Sequence, residues 1–300
     1  MENPRSWIQR LTLFSRKLKL SIPRDALVLE VGSGGSPHFH ADVLCEKYVS
    51  GEGTARVGEL KIDRPFVFGD AESLPFVDNA FDYVICFHVL EHLDNPDNCL
   101  KELMRVARAG YIETPSEATE KMQGWTCHKW FVRLEDGKLI LTQKEKPVFD
   151  PVLHIAFHSL AHAGNRTYLK FIMKNRNLFT MTYEWKDKIE YQIFRAESVV
   201  GTLGFEEPAT DDFSDFHPEM IELNDNGRFE FDEFARNFAY KLLRRKYEKH
   251  DTNLLELLAC PICKTEVVNQ NGNLVCTNCS KSYLIKGGIP ILLEELAQPI

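Results

Sequence analysis

The stretch ALVLEVGSGG, residues 26–35, constrains the fold more than any other. Its first six residues, ALVLEV, are a continuous run of apolar, mostly strand-forming residues, interrupted only by Glu30. Such a run fits a parallel strand buried on both faces. It leads into glycines at 32, 34 and 35, where missing side chains let backbone pass close to a ligand. PFVF, DYVICF and GYIETPS read as further buried strands, and Asp97–Ala107 as a helix with Leu100, Leu103, Met104 and Ala107 on one face. Strands alternating with helices predict an α/β fold: an open, mostly parallel sheet covered on both sides. Ligands of such sheets sit at the carboxyl ends of the strands, near the reversal of strand order.

The glycine turn excludes two ligand classes. A dinucleotide fingerprint needs a glycine where Pro37 stands, and a phosphate loop needs a Gly-Lys-Ser/Thr end that is absent. What remains is E-x-G-x-G, formed by Glu30, Gly32 and Gly34. Together with FVFGDAESLPFVDNAFDYVICFHVLEHLDNP, it resembles the class I S-adenosylmethionine-dependent methyltransferases, especially their small-molecule branch. The resemblance covers residues 25–115. It implies a Rossmann-like sheet with antiparallel last strands. Glu30 belongs to the binding motif, and Gly32, Ser33 and Gly34 are expected to form the cradle under the methionine part of the cofactor. Glu46, at the end of the second strand, would hold the ribose hydroxyls. Asp70 would receive the adenine amino group, with Ala71 and Glu72 beside it, and His88 would contact the cofactor from the fourth strand. Two departures stand out: Ser36 and Pro37 replace the third motif glycine, and only about ten residues separate the first two strands. The first crossover helix is therefore short or missing. His128 and Glu113, just after the fifth strand, are the candidate catalytic residues, needed as bases only if the acceptor must lose a proton.

Cys260, Cys263, Cys276 and Cys279 form C-x2-C-x12-C-x2-C. Two such pairs can close a tetrahedral site around one structural zinc ion. The segment over residues 253–295 resembles the small zinc-binding activator subunit of tRNA, rRNA and release-factor methyltransferases, including its Gly288-Ile289-Pro290 turn. The resemblance implies an activator fused in cis that docks on the large domain. Strand addition to the sheet edge is one route. The other cysteines scatter. Cys45, Cys86 and Cys99 read as buried free thiols, which suits a reducing compartment.

The expected organisation is an amphipathic N-terminal helix over 1–24, a cofactor-binding domain over 25–200, an acidic linker with a helix over 201–250, and a zinc-binding α+β domain over 251–300. The basic N-terminal stretch lacks an uninterrupted apolar core, so neither a secretory signal nor a transmembrane segment is expected, and cytoplasmic residence is the default. WFVRLEDGKLILTQK and LFTMTYEWKDKIEYQIF read as two hairpins, and His154, His158 and His162 as one helical face. Residues 205–236 hold eleven acids and two arginines, and the net charge is −8. That balance disfavours a general nucleic-acid binder. The (N/D)-P-P-(Y/F) motif of many amino-nitrogen methyltransferases is absent. A small-molecule, lipid or glycan acceptor is expected. An activator-dependent RNA or protein methyltransferase is the alternative.

Overall fold

The computed structural model describes residues 20–49, 59–148, 150, 152, 170–172, 174–199, 240–244 and 252–300. The sequence expectations for the N-terminal helix, the three spaced histidines and the acidic segment lie outside these residues, except for residues 20–24, which form no helix.

Five parallel strands form the centre of the main sheet: β1 (Val28–Val31), β2 (Val43–Glu46), β3 (Phe66–Gly69), β4 (Tyr83–Phe87) and β5 (Ala109–Pro115). Their order is β3-β2-β1-β4-β5, so strand order reverses between β1 and β4. Both faces of β1 are buried, as its apolar run requires. Val28 packs with Tyr83 and Ile85 on one face. Leu29 and Val31 pack with Val43, Val84 and Cys86 on the other. Cys45, Cys86 and Cys99 are free and buried.

The expected helical cover is only partly present. Among the described residues, the crossovers between the parallel strands hold one α-helix, α1 (Pro96–Val106), between β4 and β5. It presents Cys99, Leu100, Leu103 and Val106 to the sheet, and Glu72 Oε1 accepts from the amides of Asp94 and Asn95 just before its start, at 2.9 Å each. The β1–β2 crossover contains turns and no helix, as its length dictates. Between β3 and β4, Leu74, Phe76 and Phe81 reach the core from irregular chain around Pro75.

The first hairpin forms as expected, from β6 (Trp130–Glu135) and β7 (Lys138–Gln143), turning at Asp136-Gly137. The second does not. β8 (Thr180–Lys186) runs antiparallel to β5 and ends the main sheet, whereas β9 (Tyr191–Phe194) crosses to pair in parallel with β7. Period-2 alternation identified both strands correctly, but it carries no information about their partners.

The tail is built from α4 (Leu254–Leu257), with α2 (Glu117–Gln123) and α3 (Arg176–Phe179) preceding it in the large domain, and from β10 (Val267–Gln270), β11 (Asn273–Cys276), β12 (Lys281–Lys286), β13 (Ile289–Leu292) and β14 (Gln298–Pro299). The β12–β13 turn lies at Gly287-Gly288, both with positive φ, one residue earlier than the sequence suggests; Ile289 and Pro290 are already strand. β13 then pairs in parallel with β3, so the tail continues the main sheet. Pro290 faces β12 in the antiparallel register, while Ile291 and Leu292 pair with Phe68 and Gly69.

Two further seams join the tail to the large domain. Val77 donates to Leu257 O and Ala259 to Pro75 O, both at 2.9 Å. Lys264 Nζ reaches Glu102 Oε2 at 2.9 Å and Ser73 Oγ at 3.0 Å. From the linker, Tyr240 bonds to Arg64, whose guanidinium also donates to His38 O and Ala41 O. Tyr240 thereby contacts the large domain beside the β1–β2 crossover.

Candidate cofactor and acceptor site

The glycine turn leaves β1 at the point where strand order reverses. Gly32 has φ of 72° and Gly34 of 52°. A Cβ at Gly32 would also collide with Val89 Cγ2, so only glycine satisfies both the backbone and the space. This contact places the turn directly against the loop that follows β4. Ser33 Oγ is buried and has no hydrogen-bond partner. Such an atom costs free energy unless a ligand satisfies it.

Glu30 lies in β1, just before the turn. It is 1% exposed, and its Oε2 accepts from His38 N at 2.6 Å, pinning the crossover. Glu46 sits at the carboxyl end of β2, and its Oε2 accepts from Gly34 N at 3.1 Å. Asp70 follows the end of β3, accepts from Glu72 N at 2.8 Å and pairs with Lys47 Nζ at 3.0 Å. Asp70 also lines a cavity of about 270 Å³ shared with Ser73, Pro261, Leu292, Glu294 and Glu295, so tail residues form one wall of the Asp70 corner. Ala71 is buried beside it. Glu72 spends one oxygen on the amides at the start of α1. The carboxylates of Glu46 and Asp70, the Ser33 hydroxyl and the glycine backbone form a donor and acceptor set that fits a nucleoside cofactor with a methionine tail.

His88 directly follows β4 and has φ of 53°. Its Nδ1 lies 3.2 Å from Glu91 Oε1 and its Nε2 3.5 Å from Glu113 Oε1. Burial opposes its charged form, but hydrogen bonds to Glu113 and Glu91 outweigh this and raise its pKa to about 9. Burial would likewise raise the pKa of Glu91, yet His88, His92 and His128 hold it at about 2. Because the His88 pKa is raised above its unfolded value, its stabilisation is complete below about pH 6.5 and disappears as pH passes about 9. The melting-temperature difference between wild type and His88→Asn should therefore be largest near pH 6 and vanish by about pH 10. The ring is 43% exposed, so solvent screening keeps the effect to about 1 kcal/mol or less. A difference independent of pH would contradict this assignment.

Glu113 is buried and held by Arg176 Nη2 and Tyr111 OH, each at 2.8 Å. His128 is also buried. Its Nδ1 lies 2.5 Å from Glu120 Oε1, and the other Glu120 oxygen accepts from Lys144 Nζ at 2.7 Å. Burial opposes charge on His128, but Cys127 and Glu120 raise its pKa to about 9. The structure brings Glu113 near His88 and places His128 beside His92, their rings 4.5 Å apart. The sequence reading missed His92, Cys127, Glu120, Lys144 and Arg176. The H-x2-E-H spacing at 88–92 and the adjacent Cys127-His128 were the available signals.

In the tail, Cys260 Sγ and Cys279 Sγ are 3.6 Å apart, and Cys263 Sγ and Cys276 Sγ 3.4 Å apart. All four sulfurs lie within 4.8 Å of one another. Sulfurs around a tetrahedral zinc ion at ~2.3 Å stand about 3.8 Å apart, so the cluster fits that ion. Burial of the Cys260 neighbourhood is shared with Tyr283, whose hydroxyl lies 3.2 Å from Cys260 Sγ.

Comparison with known proteins reaches the same two halves. The family model described as a methyltransferase domain matches residues 29–112, and the Trm112p-like protein model matches residues 251–288. A UPF0434 protein of Nitrosococcus oceani is 42% identical over 50 residues, 16% of this chain and 85% of that protein. The chain joins a methyltransferase domain to a member of the Trm112p-like family. Ajmaline N-methyltransferase of Rauvolfia serpentina is 33% identical over 98 residues, 29% of this chain. The chain spans about a third, 34%, of that plant enzyme's length. An S-adenosylmethionine-dependent methyltransferase structure from Thermotoga maritima matches 37% of this chain and 55% of its own, at 20% identity and a TM-score of 0.30. S-adenosylmethionine is the cofactor of the methyltransferase domain, and the Trm112p-like cysteine cluster is consistent with a zinc ion. Among the described residues, no helix is long and apolar enough to cross a membrane.

Proposed function

We propose that the chain transfers the methyl group of S-adenosylmethionine to a small-molecule, glycan or lipid acceptor in the cytoplasm, with the Trm112p-like tail acting as an activator in cis. The observation that carries this reading is the alignment of Gly34, Glu46 and Asp70 at the carboxyl ends of β1, β2 and β3. Glu46 already accepts from Gly34 N, so the carboxylate is oriented before any ligand arrives.

Bound there, the cofactor supplies a methyl group activated by its sulfonium, and the protein's main task is alignment. Gly32, Ser33 and Gly34 cradle the methionine part, with Glu30 bracing the turn from behind. Glu46 holds the ribose, and Asp70 with Ala71 receives the adenine; Glu72 fixes that corner by anchoring α1. His88 contacts the cofactor from the end of the fourth strand. Glu113 and His128 form the acceptor side, each held by its own partners, Arg176 and Tyr111 on Glu113 and Glu120 on His128. A base is needed only for an acceptor that must lose a proton, and Glu113 is then the candidate.

The plant relative's name specifies a discrete compound, ajmaline, which favours a small acceptor. The Trm112p-like tail favours the second reading, an RNA or protein acceptor. Labelled S-adenosylmethionine offered in parallel to metabolite, lipid and RNA fractions separates them. Label confined to RNA or protein would overturn the small-acceptor reading. Glu46→Ala should weaken S-adenosylhomocysteine binding roughly 10–150-fold in calorimetry, since each charge-assisted hydrogen bond to the ribose contributes about 1.5–3 kcal/mol. Unchanged affinity would remove Glu46 from the site.

A further inference from the structure

The methyltransferase domain holds a second group of soft and borderline donors, separate from the tail cysteines. A ring nitrogen of His92, Cys127 Sγ and a ring nitrogen of His128 lie within 4.8 Å of one another. They come from two chain segments: the short 3-10 turn Leu90–His92 after β4, and the loop after α2. A tetrahedral ion at ~2.0–2.3 Å from nitrogen and sulfur needs its ligands roughly 3.4–3.8 Å apart. Closing this group requires movements on the order of 1 Å.

The surroundings are built to aim one of these ligands. Glu120 Oε1 occupies His128 Nδ1 at 2.5 Å, which leaves Nε2 as the nitrogen for an ion. A carboxylate on the far nitrogen is the usual support of a metal-binding histidine. Glu120 is in turn held by Lys144 Nζ at 2.7 Å, and both side chains are essentially unexposed, at 1% and 0%. Taking an ion pair fully out of water gains little stability, so its evident effect is to position His128. Trp125 walls the other side, its ring 4.7 Å from His128. Glu91 adds a buried negative charge in the field of His92 and His128, and its Oε2 has no partner.

We propose that His92, Cys127 and His128 bind a second divalent metal ion, with zinc favoured by the two-nitrogen, one-sulfur donor set. Three protein ligands leave a fourth position open, the arrangement of sites that bind substrate rather than merely brace a fold. One of the three, His92, lies on the loop that packs against the glycine turn through Val89. An ion there would hold and polarise an acceptor hydroxyl beside the cofactor. The acceptor role rests on the methyl-transfer reading above; the metal site does not.

The full chain, reloaded with Zn²⁺ and desalted, should retain two zinc ions in elemental analysis. Cys127→Ser and His128→Asn should each retain one, with the four tail cysteines intact. One zinc in wild type, unchanged in Cys127→Ser, would overturn the site. Co²⁺ loading gives a second readout on folded protein. Wild type offers four tail thiolates and one from Cys127, so Cys127→Ser should lose about one fifth of the thiolate-to-cobalt absorption. Undiminished absorption would equally overturn the proposal. Two retained metal ions without any S-adenosylhomocysteine binding would keep the metal site and remove the methyl-transfer reading.

Discussion

Removing residues 251–300 should leave a methyltransferase domain that aggregates or melts far below the full chain. β13 covers the edge of β3, and Ile289, Ile291 and Leu293 share a core with Leu44, Phe66 and Phe68. The seam at residues 257–259 covers Phe76, which is fully buried. Uncovering three or four such side chains forfeits on the order of 4–8 kcal/mol, at ~1.5–3 kcal/mol for each fully buried one and less for those only partly uncovered. That is comparable with the whole net stability of a domain, about 5–15 kcal/mol. Deletion would also bare the hydrogen-bonding edge of β3, an invitation to intermolecular pairing. Supplying residues 251–300 as a separate chain should partly restore the melting temperature. A truncated protein that is equally soluble and equally stable by calorimetry would show that the tail contributes nothing to the domain it covers.

Cys276→Ser should act through the same seam. Cys276 ends β11 and is buried at the cluster. Losing one of four thiolates should abolish stable zinc retention by the tail, and the free energy of zinc binding is folding free energy for a module this small, about 10 kcal/mol or more in zinc-finger peptides. The tail should unfold and the methyltransferase domain should lose stability with it. Elemental analysis after desalting, paired with thermal melts, checks both halves. Undiminished tail zinc in the variant would refute the four-cysteine assignment.

The strands of the central sheet were legible because each is a short apolar run bounded by turn residues, and β1 to β5 fall where their hydrophobic patterns end. The missing first crossover helix was legible too, from the spacing of β1 and β2 alone. Pairing was not. Nothing in TMTYEWK or YQIF says that one strand closes the main sheet while the other crosses to β7, because partner choice is decided by tertiary packing. Among the described residues, the β1–β2 turns and the chain around Pro75 are irregular rather than helical, and Leu74, Phe76 and Phe81 reach the core from the latter. In the site, the carboxylates at strand ends could be placed from sequence. The Lys144–Glu120–His128 relay could not, since its members come from a strand end, a short helix and a loop whose approach depends on β6 and β7 folding back.

The central claim is that the glycine turn, Glu46 and Asp70 bind S-adenosylmethionine rather than a dinucleotide. Isothermal calorimetry of the full chain against S-adenosylhomocysteine and, separately, NAD tests it most directly. One S-adenosylhomocysteine should bind per chain, with no measurable heat from NAD. Tight NAD binding with no response to S-adenosylhomocysteine would contradict the account.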